Sequence, residues 1–214
     1  MDMPDNYLTH VQQDQFWTDG YLVVEGAVDN DTLAHLRAQM DAWAEESRKH
    51  TEPYGEPTVD GRPRFDLEEK HSAERPALRR INNPVEISDL FYKVMTAAPM
   101  VDMVATLIGP DVKYHHCIIN SKLPGSQMVV HYHQDFPYTP HTNDDIITAI
   151  LLLDDVDDGN GCLMVVPGTH RGNIDSLYEN GEFTGKVSKV GEKVTRWKKG
   201  DRVCLLYTSP SPRD

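Results

Sequence analysis

The sequence has few cysteines, and none is placed in a recognised motif. Cys117, Cys162 and Cys204 lie far apart in the 214-residue chain, and no Cys-x-x-Cys pair occurs. We therefore expect neither a disulfide framework nor a zinc-finger site, and three reduced thiols are the simplest interpretation.

Long apolar runs and basic residues are also scarce. An apolar run such as residues 149–153 is far shorter than the ~18 residues of a membrane-spanning helix. The first six residues lack the basic and then apolar pattern of a signal peptide. Acidic residues number 34 against 21 basic ones, a formal net charge of −13, and such a surface repels phosphate backbones. These features predict a single cytoplasmic globular domain that has neither nucleic acid nor a membrane span as a partner.

The first half of the chain has helical patterns, and the second half has short β-like runs. Apolar residues at helical spacing predict a helix over residues 30–46, with further helices over 9–17, 90–95 and 101–108. Six runs then have strand character: 112–121, 127–133, 146–154, 163–166, 186–190 and 203–207. The pattern predicts an α+β fold with a mainly β core, an antiparallel sandwich or barrel with N-terminal helices packed outside.

The loop over residues 50–64 is rich in Pro, Gly, Thr and Glu. A loop of this length inside a compact domain is typical of a lid or a binding segment, or of disorder. The sequence leaves these alternatives open.

The segment His131-Tyr132-His133-Gln134-Asp135 carries the clearest chemistry. On an extended strand, His133 and Asp135 point to the same side, with Cα atoms ~6–7 Å apart. An imidazole and a carboxylate at that spacing can both reach one metal ion, whereas His131 lies ~13 Å from Asp135. The pair supplies two-thirds of the 2-His-1-carboxylate triad that leaves open positions on iron(II).

Other histidines and acidic residues have simpler interpretations. The adjacent His115 and His116 would face opposite sides of a strand, so at most one could face a pocket. His170, within Pro-Gly-Thr-His-Arg, is expected to stabilise a turn rather than to bind a metal. Asp154, Asp155, Asp157 and Asp158 lack the glycine and glutamate placement of a calcium-binding EF-hand loop, which favours a solvated turn.

Several motifs together resemble the phytanoyl-CoA dioxygenase family. The His-Gln-Asp segment precedes a strand and then residues 160–171, which fit the pattern Asn-Gly-x-Leu-x-x-x-Pro-Gly-Thr-His-Arg. Residues 16–24 and 107–110 are similar to the same family's opening and to its entry into the β region, so the resemblance covers residues 9–203. It implies an iron(II)- and 2-oxoglutarate-dependent dioxygenase with a double-stranded β-helix, that is, a jelly-roll or cupin-like fold.

The resemblance also implies roles for individual residues. It makes His133 and Asp135 ligands of iron(II), and it places Arg80 and Ile118 at positions similar to those that contact 2-oxoglutarate. Related halogenases replace the carboxylate with a small residue, so Asp135 favours hydroxylation. The reaction implied consumes dioxygen, converts 2-oxoglutarate to succinate and CO₂, and hydroxylates a small or lipid-like metabolite.

The end of the chain departs from the family's pattern. Residues 198–203 resemble the approach to a late strand that carries a third ligand, a histidine, but no histidine follows His170. Residues 204–214 end in a Ser-Pro-Ser-Pro run without strand character and are expected to be a non-native tail. We therefore expect a double-stranded β-helix that is incomplete, and a fragment with weak or no activity.

Two other functions are compatible with parts of this pattern. A non-catalytic β-barrel module that has lost its metal and binds a small ligand would explain the missing histidine, although the intact His-x-Asp pair argues against it. A cupin-like enzyme with zinc or another metal would draw several histidines and a glutamate from one motif, which this segment lacks. The sequence indicates neither the substrate nor the oligomeric state.

Overall fold

A computed structural model of the chain describes residues 7–97, 99–123, 130, 132–143, 145–157, 159–174, 176–184 and 206–208. Its helices are α1 (His10–Asp19), α2 (Asn30–Ser47), α3 (Asp89–Ala97) and α4 (Pro99–Ile108). Its strands are β1 (Phe65–Leu67), β2 (Leu78–Asn82), β3 (Ile118–Asn120), β4 (Ile147–Ala149), β5 (Tyr178–Glu179), β6 (Glu182–Phe183) and β7 (Leu206–Thr208). Short 3-10 turns lie at Pro84–Glu86, Phe136–Tyr138 and Thr169–Arg171.

Local sequence signals set the ends of the first two helices. Thr9 and Gln12 form a reciprocal capping box at the start of α1, and Gly20 ends that helix in the left-handed conformation. The Asp29 side chain accepts a hydrogen bond from the Thr32 backbone N–H at the start of α2. Both helices thus begin and end close to the positions predicted from the sequence.

Helix α2 packs against a three-stranded antiparallel sheet of order β1-β2-β3. Phe65 pairs with Ile81, and Ile81 pairs with Ile119, so these three side chains share one face. That face contacts Met40 and Trp43 of α2. The opposite face carries Arg80 and Asn120, which therefore point away from this part of the core.

Two further clusters complete the core. Leu36, Phe91 and Val94 join α2 to α3, and Leu36 is fully buried, which contributes about 2 kcal/mol of hydrophobic stabilisation. The other cluster joins α1 and α4 through Leu8, Phe16, Leu22, Met103 and Leu107, with Ile147 and Ala149 of β4 packed against it. The helices thus pack on separate sheets, α2 on the three-stranded sheet and α1 and α4 on β4.

Helices α3 and α4 together form one segment, Asp89–Ile108, that is long and apolar enough by length and composition to cross a membrane. Its mean hydropathy is 1.3, and core helices of globular proteins pass the same test. Phe91, Val94, Met100, Met103 and Leu107 of this segment are buried in the protein interior. In total, 29% of this apolar stretch is buried inside the protein.

The strands are shorter than the sequence predicts. Only Ile118–Asn120 of the run 112–121 and Ile147–Ala149 of the run 146–154 form strands, and residues 163–166 form none. An extended segment becomes a strand only where a partner lies alongside it, and apolar alternation does not encode the partner. Residues 130, 132 and 133 form no strand either. The structure does not describe the remaining predicted positions: the rest of the run 127–133, all of 186–190, and residues 203–205.

The fold is therefore a mixture of helices and small antiparallel sheets. Besides the three-stranded sheet, β4 pairs with β7 and β5 pairs with β6. The predicted mixture of helix and strand is confirmed. The described residues form three separate small sheets rather than a closed double-stranded β-helix, and that finer architecture stays a prediction.

Candidate metal centre

His133 and Asp135 lie in irregular backbone rather than on a strand. Asp135 has φ −72° and ψ −32° and starts the 3-10 turn Phe136–Tyr138. The strand geometry predicted for this segment is therefore wrong for the residues described. The two side chains nevertheless meet, because the turn brings His133 Nε2 to 3.2 Å from Asp135 Oδ1.

This distance fits two ligands of one ion. Two donors in adjacent positions of an octahedral ion, each ~2.1 Å from it, lie ~3.0 Å apart. His133 is about one quarter exposed and Asp135 about one half exposed, so an ion has access to both atoms. Within the part of the chain that the structure describes, no set of three His, Cys, Asp or Glu side chains is arranged to hold a metal. His133 and Asp135 are thus arranged to provide two ligands of a metal ion rather than a complete set.

Thr148 orients the Asp135 carboxylate. Its Oγ1 hydroxyl donates a hydrogen bond of 3.3 Å to Oδ2, which leaves Oδ1 facing His133. Thr148 is the central residue of β4, and its neighbours Ile147 and Ala149 point into the core on the other face. Strand alternation therefore directs the one hydroxyl of this apolar strand toward the carboxylate.

The Asp135 carboxylate is held in its ionised form. The hydrogen bond from His133 is the largest cause that lowers the pKa of Asp135, and burial opposes it. The Thr148 hydroxyl and the charge of His116 lower the pKa further. An ionised carboxylate is the form that binds a metal ion.

Arg80 and Ile118 lie on one face of the three-stranded sheet. Arg80 pairs with Asn120 and Ile118 pairs with Asn82 across β2 and β3, so strand alternation places all four residues on the same face. The Arg80 guanidinium Nε donates a 3.2 Å hydrogen bond to Asn120 Oδ1. Burial, together with the charge of Arg79, lowers the pKa of Arg80, but an arginine stays cationic in proteins. A shared face is compatible with the predicted contacts to 2-oxoglutarate, which stay a prediction.

Electrostatic interactions connect this sheet face to the His133 and Asp135 pair. The charge of Arg62 acts on both Arg80 and His116, and the charge of Asp135 acts on His116. Burial is the largest cause that lowers the pKa of His116. Arg62 belongs to the loop predicted as a lid or binding segment, and the loop is closed by hydrogen bonds between Thr58 and Arg62. The charge of this loop residue therefore acts on His116, whose charge in turn acts on Asp135.

The prediction that His115 and His116 face opposite sides is wrong. Residues 111–117 are not in a strand, and the two rings contact each other with centroids 4.7 Å apart. The ring of His141 lies 4.8 Å from that of His115. Strand alternation does not apply to this segment, because it has no strand partner.

His170 has a structural position, as predicted. Its ring is 7% exposed, and Nε2 donates a 3.1 Å hydrogen bond to the carbonyl oxygen of Trp17. The Gly168 N–H donates to the Asp19 carbonyl at 2.7 Å, and the Arg171 guanidinium also donates to the Trp17 carbonyl. The Pro-Gly-Thr-His-Arg block thus holds the C-terminal end of α1. His131, the remaining histidine of the motif, lies outside the described residues.

Thr148 and His116 interact with Asp135, and neither is among the site residues predicted from the sequence. A signal for Thr148 was present, since it is the one hydroxyl within the apolar run 146–153. No local signal indicates His116, because its relation to Asp135 depends on how the chain folds.

Relatives found by comparison with known proteins bear the names of dioxygenases. The sequence model of the family described as phytanoyl-CoA dioxygenase (PhyH) matches residues 16–202. A probable alpha-ketoglutarate-dependent hypophosphite dioxygenase from Stutzerimonas stutzeri is 32% identical over 127 residues, covering 58% of this chain and 44% of that protein. The peroxisomal phytanoyl-CoA dioxygenase of Rattus norvegicus is 25% identical over 193 residues, covering 87% of this chain and 54% of that protein.

Among solved structures, EctD from S. alaskensis with bound Fe matches with a TM-score of 0.42 and 21% identity. The match covers 57% of this chain and 38% of that one. The chain spans about half the length of the curated relatives it matches. Since the family model matches most of the sequence, the chain belongs to the phytanoyl-CoA dioxygenase family.

Proposed function

We propose that this chain is part of an iron(II)- and 2-oxoglutarate-dependent dioxygenase that hydroxylates a small molecule. The observation that carries the proposal is the 3.2 Å separation of His133 Nε2 and Asp135 Oδ1, which suits adjacent ligands of one ion. Family membership supports the same cofactor and co-substrate. The two curated relatives named above bear names that refer to very different substrates, so they support only the broad class of reaction.

Each residue would have a distinct role. His133 would bind iron(II) through the lone pair of Nε2, which requires the ring proton to be on Nδ1. Asp135 would bind through Oδ1, with Thr148 holding Oδ2. With 2-oxoglutarate and dioxygen, bound iron supplies an oxidation that releases succinate and CO₂ and places one oxygen atom on the substrate as a hydroxyl group.

The sheet face that carries Arg80 and Ile118 would bind the co-substrate. Arg80 provides a permanent positive charge that suits a carboxylate of 2-oxoglutarate, and the Asn120 amide holds its guanidinium in place. Ile118, on the same face, would provide an apolar contact for the carbon chain. These roles follow from the family resemblance and from the shared face of β2 and β3.

Iron(II) binding by variants of the pair tests the proposal. We expect His133→Ala and Asp135→Ala each to weaken iron(II) binding by at least about 100-fold, because each removes a direct ligand. Binding is measured by anaerobic calorimetric titration, and succinate release from 2-oxoglutarate is measured in parallel.

The chain offers a matched control pair. His35 and Asp31 also form a histidine–aspartate contact, at 3.6 Å, on the exposed surface of α2. His35→Ala and Asp31→Ala should leave iron(II) binding unchanged. Wild-type affinity in the His133 and Asp135 variants would contradict the assignment, because the iron would then bind elsewhere.

A further inference from the structure

A β-hairpin at residues 178–183 presents two aromatic rings on one face. Asn180 and Gly181 have φ values of 53° and 84°, as a two-residue type I′ turn requires. Tyr178 pairs with Phe183, and Glu179 pairs with Glu182. Because side chains alternate along a strand, the two rings share one face and the two carboxylates share the other.

The base of this hairpin is held firmly, whereas its rings are exposed. Leu177 is 2% exposed, and its carbonyl accepts hydrogen bonds of 2.9 and 3.0 Å from the N–H and hydroxyl of Thr184. Tyr178 and Phe183 are 59% and 56% exposed. The backbone thus fixes the position of two rings that contribute little to the core.

Ring contacts connect the hairpin to the candidate metal centre. The ring of Tyr178 contacts that of Phe183 at 5.4 Å between centroids, and Phe183 contacts Tyr138 at 5.9 Å. Tyr138 in turn contacts the imidazole of His133 at 5.5 Å. An unbroken row of rings therefore leads from a candidate iron ligand to the hairpin.

An open groove of about 300 Å³ lies beside Tyr178 and Phe183 of this row. The described residues that line it are uncharged and offer both polar and apolar surface: Pro137, Ile174, Ser176, Leu177, Tyr178 and Phe183. Glu179 and Glu182 lie on the other face of the hairpin, so they do not supply the groove with a negative charge that would favour a cation. An uncharged lining with two aromatic rings favours a neutral ligand that has an apolar portion.

We propose that the aromatic face of this hairpin, with Tyr138, is the specificity-determining wall of the active site and binds an alkyl portion of the substrate. The proposal rests on the function proposed above, since it takes His133 as an iron ligand. In this arrangement the hairpin positions the substrate and Tyr138 joins the binding wall to the metal centre.

Binding of simple alcohols to the metal-free protein tests this proposal. The chain has five phenylalanines, so fluorinated phenylalanine gives a small set of fluorine NMR resonances, and Phe183→Leu identifies that of Phe183. We expect butanol, hexanol and octanol to shift the Phe183 resonance, with affinity rising about twofold to fourfold per methylene group. No shift, or affinity independent of chain length, would overturn the proposal. Tighter binding of tetramethylammonium than of octanol would also overturn it, because the site would then be a cation cage.

A matched pair of variants localises the binding. Tyr178 and Tyr92 are 59% and 55% exposed, but Tyr92 lies on α3. We expect Tyr178→Ala to weaken octanol binding at least fivefold and Tyr92→Ala to leave it unchanged, with the buried Phe16 and Phe91 resonances reporting an intact fold. Equal effects of the two variants would contradict the proposal.

The alcohol experiment is independent of turnover, so the failure of one proposal can be distinguished from the failure of the other. If His133→Ala and Asp135→Ala leave iron(II) binding unchanged while alcohol binding is intact, the dioxygenase proposal fails, and the hairpin is then an alcohol-binding site outside any iron centre. Intact iron(II) binding without alcohol binding would refute the aromatic wall alone.

Discussion

At the scale of single residues, the Asp135 carboxylate accepts a hydrogen bond from a hydroxyl of strand β4. Thr148 Oγ1 donates to Oδ2 while Oδ1 faces His133. A metal ligand that is held by a second hydrogen bond loses less freedom when it binds the ion. The site therefore extends beyond the two residues that would contact iron.

Thr148→Val tests this role, since valine keeps the shape of threonine but removes the hydroxyl. We expect iron(II) affinity to fall about 10- to 100-fold with little change in the free energy of unfolding. Thr106→Val is the control, because the Thr106 hydroxyl donates to the Asp102 carbonyl within α4. If calorimetric titration gives the same affinity for both variants, the Thr148 hydroxyl does not orient the ligand.

Two features of the structure require a glycine at position 20: a left-handed backbone and close packing against His170. Its φ is +82°, and a Cβ atom there would lie 2.2 Å from His170 Nδ1. We expect Gly20→Ala to lower the free energy of unfolding by about 2 kcal/mol or more, from backbone strain and overlap with the ring. Gly26 has a similar φ of +70° but no atom within 4 Å of its Cβ position, so Gly26→Ala should cost only about 1 kcal/mol. Urea unfolding measures both, and equal losses would show that contact with His170 is unimportant.

At the scale of elements, Arg64 joins the start of β1 to the end of β2. Its side chain is 5% exposed, and one guanidinium nitrogen donates to the carbonyl oxygens of Asn82 and Asn83, each at 2.9 Å. The other terminal nitrogen contacts Glu86 Oε2 at 2.5 Å. The Arg64 guanidinium thus provides hydrogen-bond donors for the two backbone carbonyls where β2 leads into the Pro84–Glu86 turn.

Replacing Arg64 by Met should therefore destabilise the protein strongly. We expect a loss of about 3–5 kcal/mol in the free energy of unfolding, because two carbonyls and a carboxylate lose a buried partner. Arg62 is a suitable control, since its ion pair with Asp60 at 2.9 Å is more than half exposed. Arg62→Met should cost no more than about 1 kcal/mol. Similar midpoints in urea for the two variants would refute the role of Arg64.

At the scale of the whole molecule, His170 joins two segments that are far apart in the chain. Its bond to the Trp17 carbonyl connects residues separated by 153 positions. Burial lowers the pKa of His170 below its ordinary value of 6.5, and the bond to Trp17 opposes this effect. Arg171 lowers the pKa further, whereas Asp19 raises it. The folded protein therefore holds this ring in its neutral form.

A pH dependence of stability follows from this lowered pKa. As the pH falls through about 6.5, the unfolded chain binds a proton at His170 before the folded protein does, so the free energy of unfolding decreases. His170→Gln lacks this group, and its free energy of unfolding should decrease less between about pH 7.5 and about pH 5.5. Urea unfolding at the two pH values measures the difference. Equal pH dependence in wild type and variant would show that His170 does not contribute.

Sequence patterns predicted the helices better than the strands. The helix predicted over residues 30–46 corresponds to α2, Asn30–Ser47, because its cap and its apolar spacing are local features. The strand predicted over residues 146–154 shortens to Ile147–Ala149, because a ladder needs a partner whose identity is not local. His133 and Asp135 come together as predicted, but through a turn rather than through an extended strand.

By itself, the sequence determined the chemistry available to this protein: a histidine and an aspartate two positions apart, a structural Pro-Gly-Thr-His-Arg block, and the motifs that are typical of the family. Only the tertiary structure decided which hydroxyl bonds Asp135, which glycine accommodates His170, and which rings lie between the candidate metal centre and the hairpin. The Thr148 hydroxyl bonds a carboxylate 13 positions away, and His170 bonds a carbonyl 153 positions away. Local propensity acts over a few residues, whereas such contacts exist only after the core has packed and the strands have found their partners.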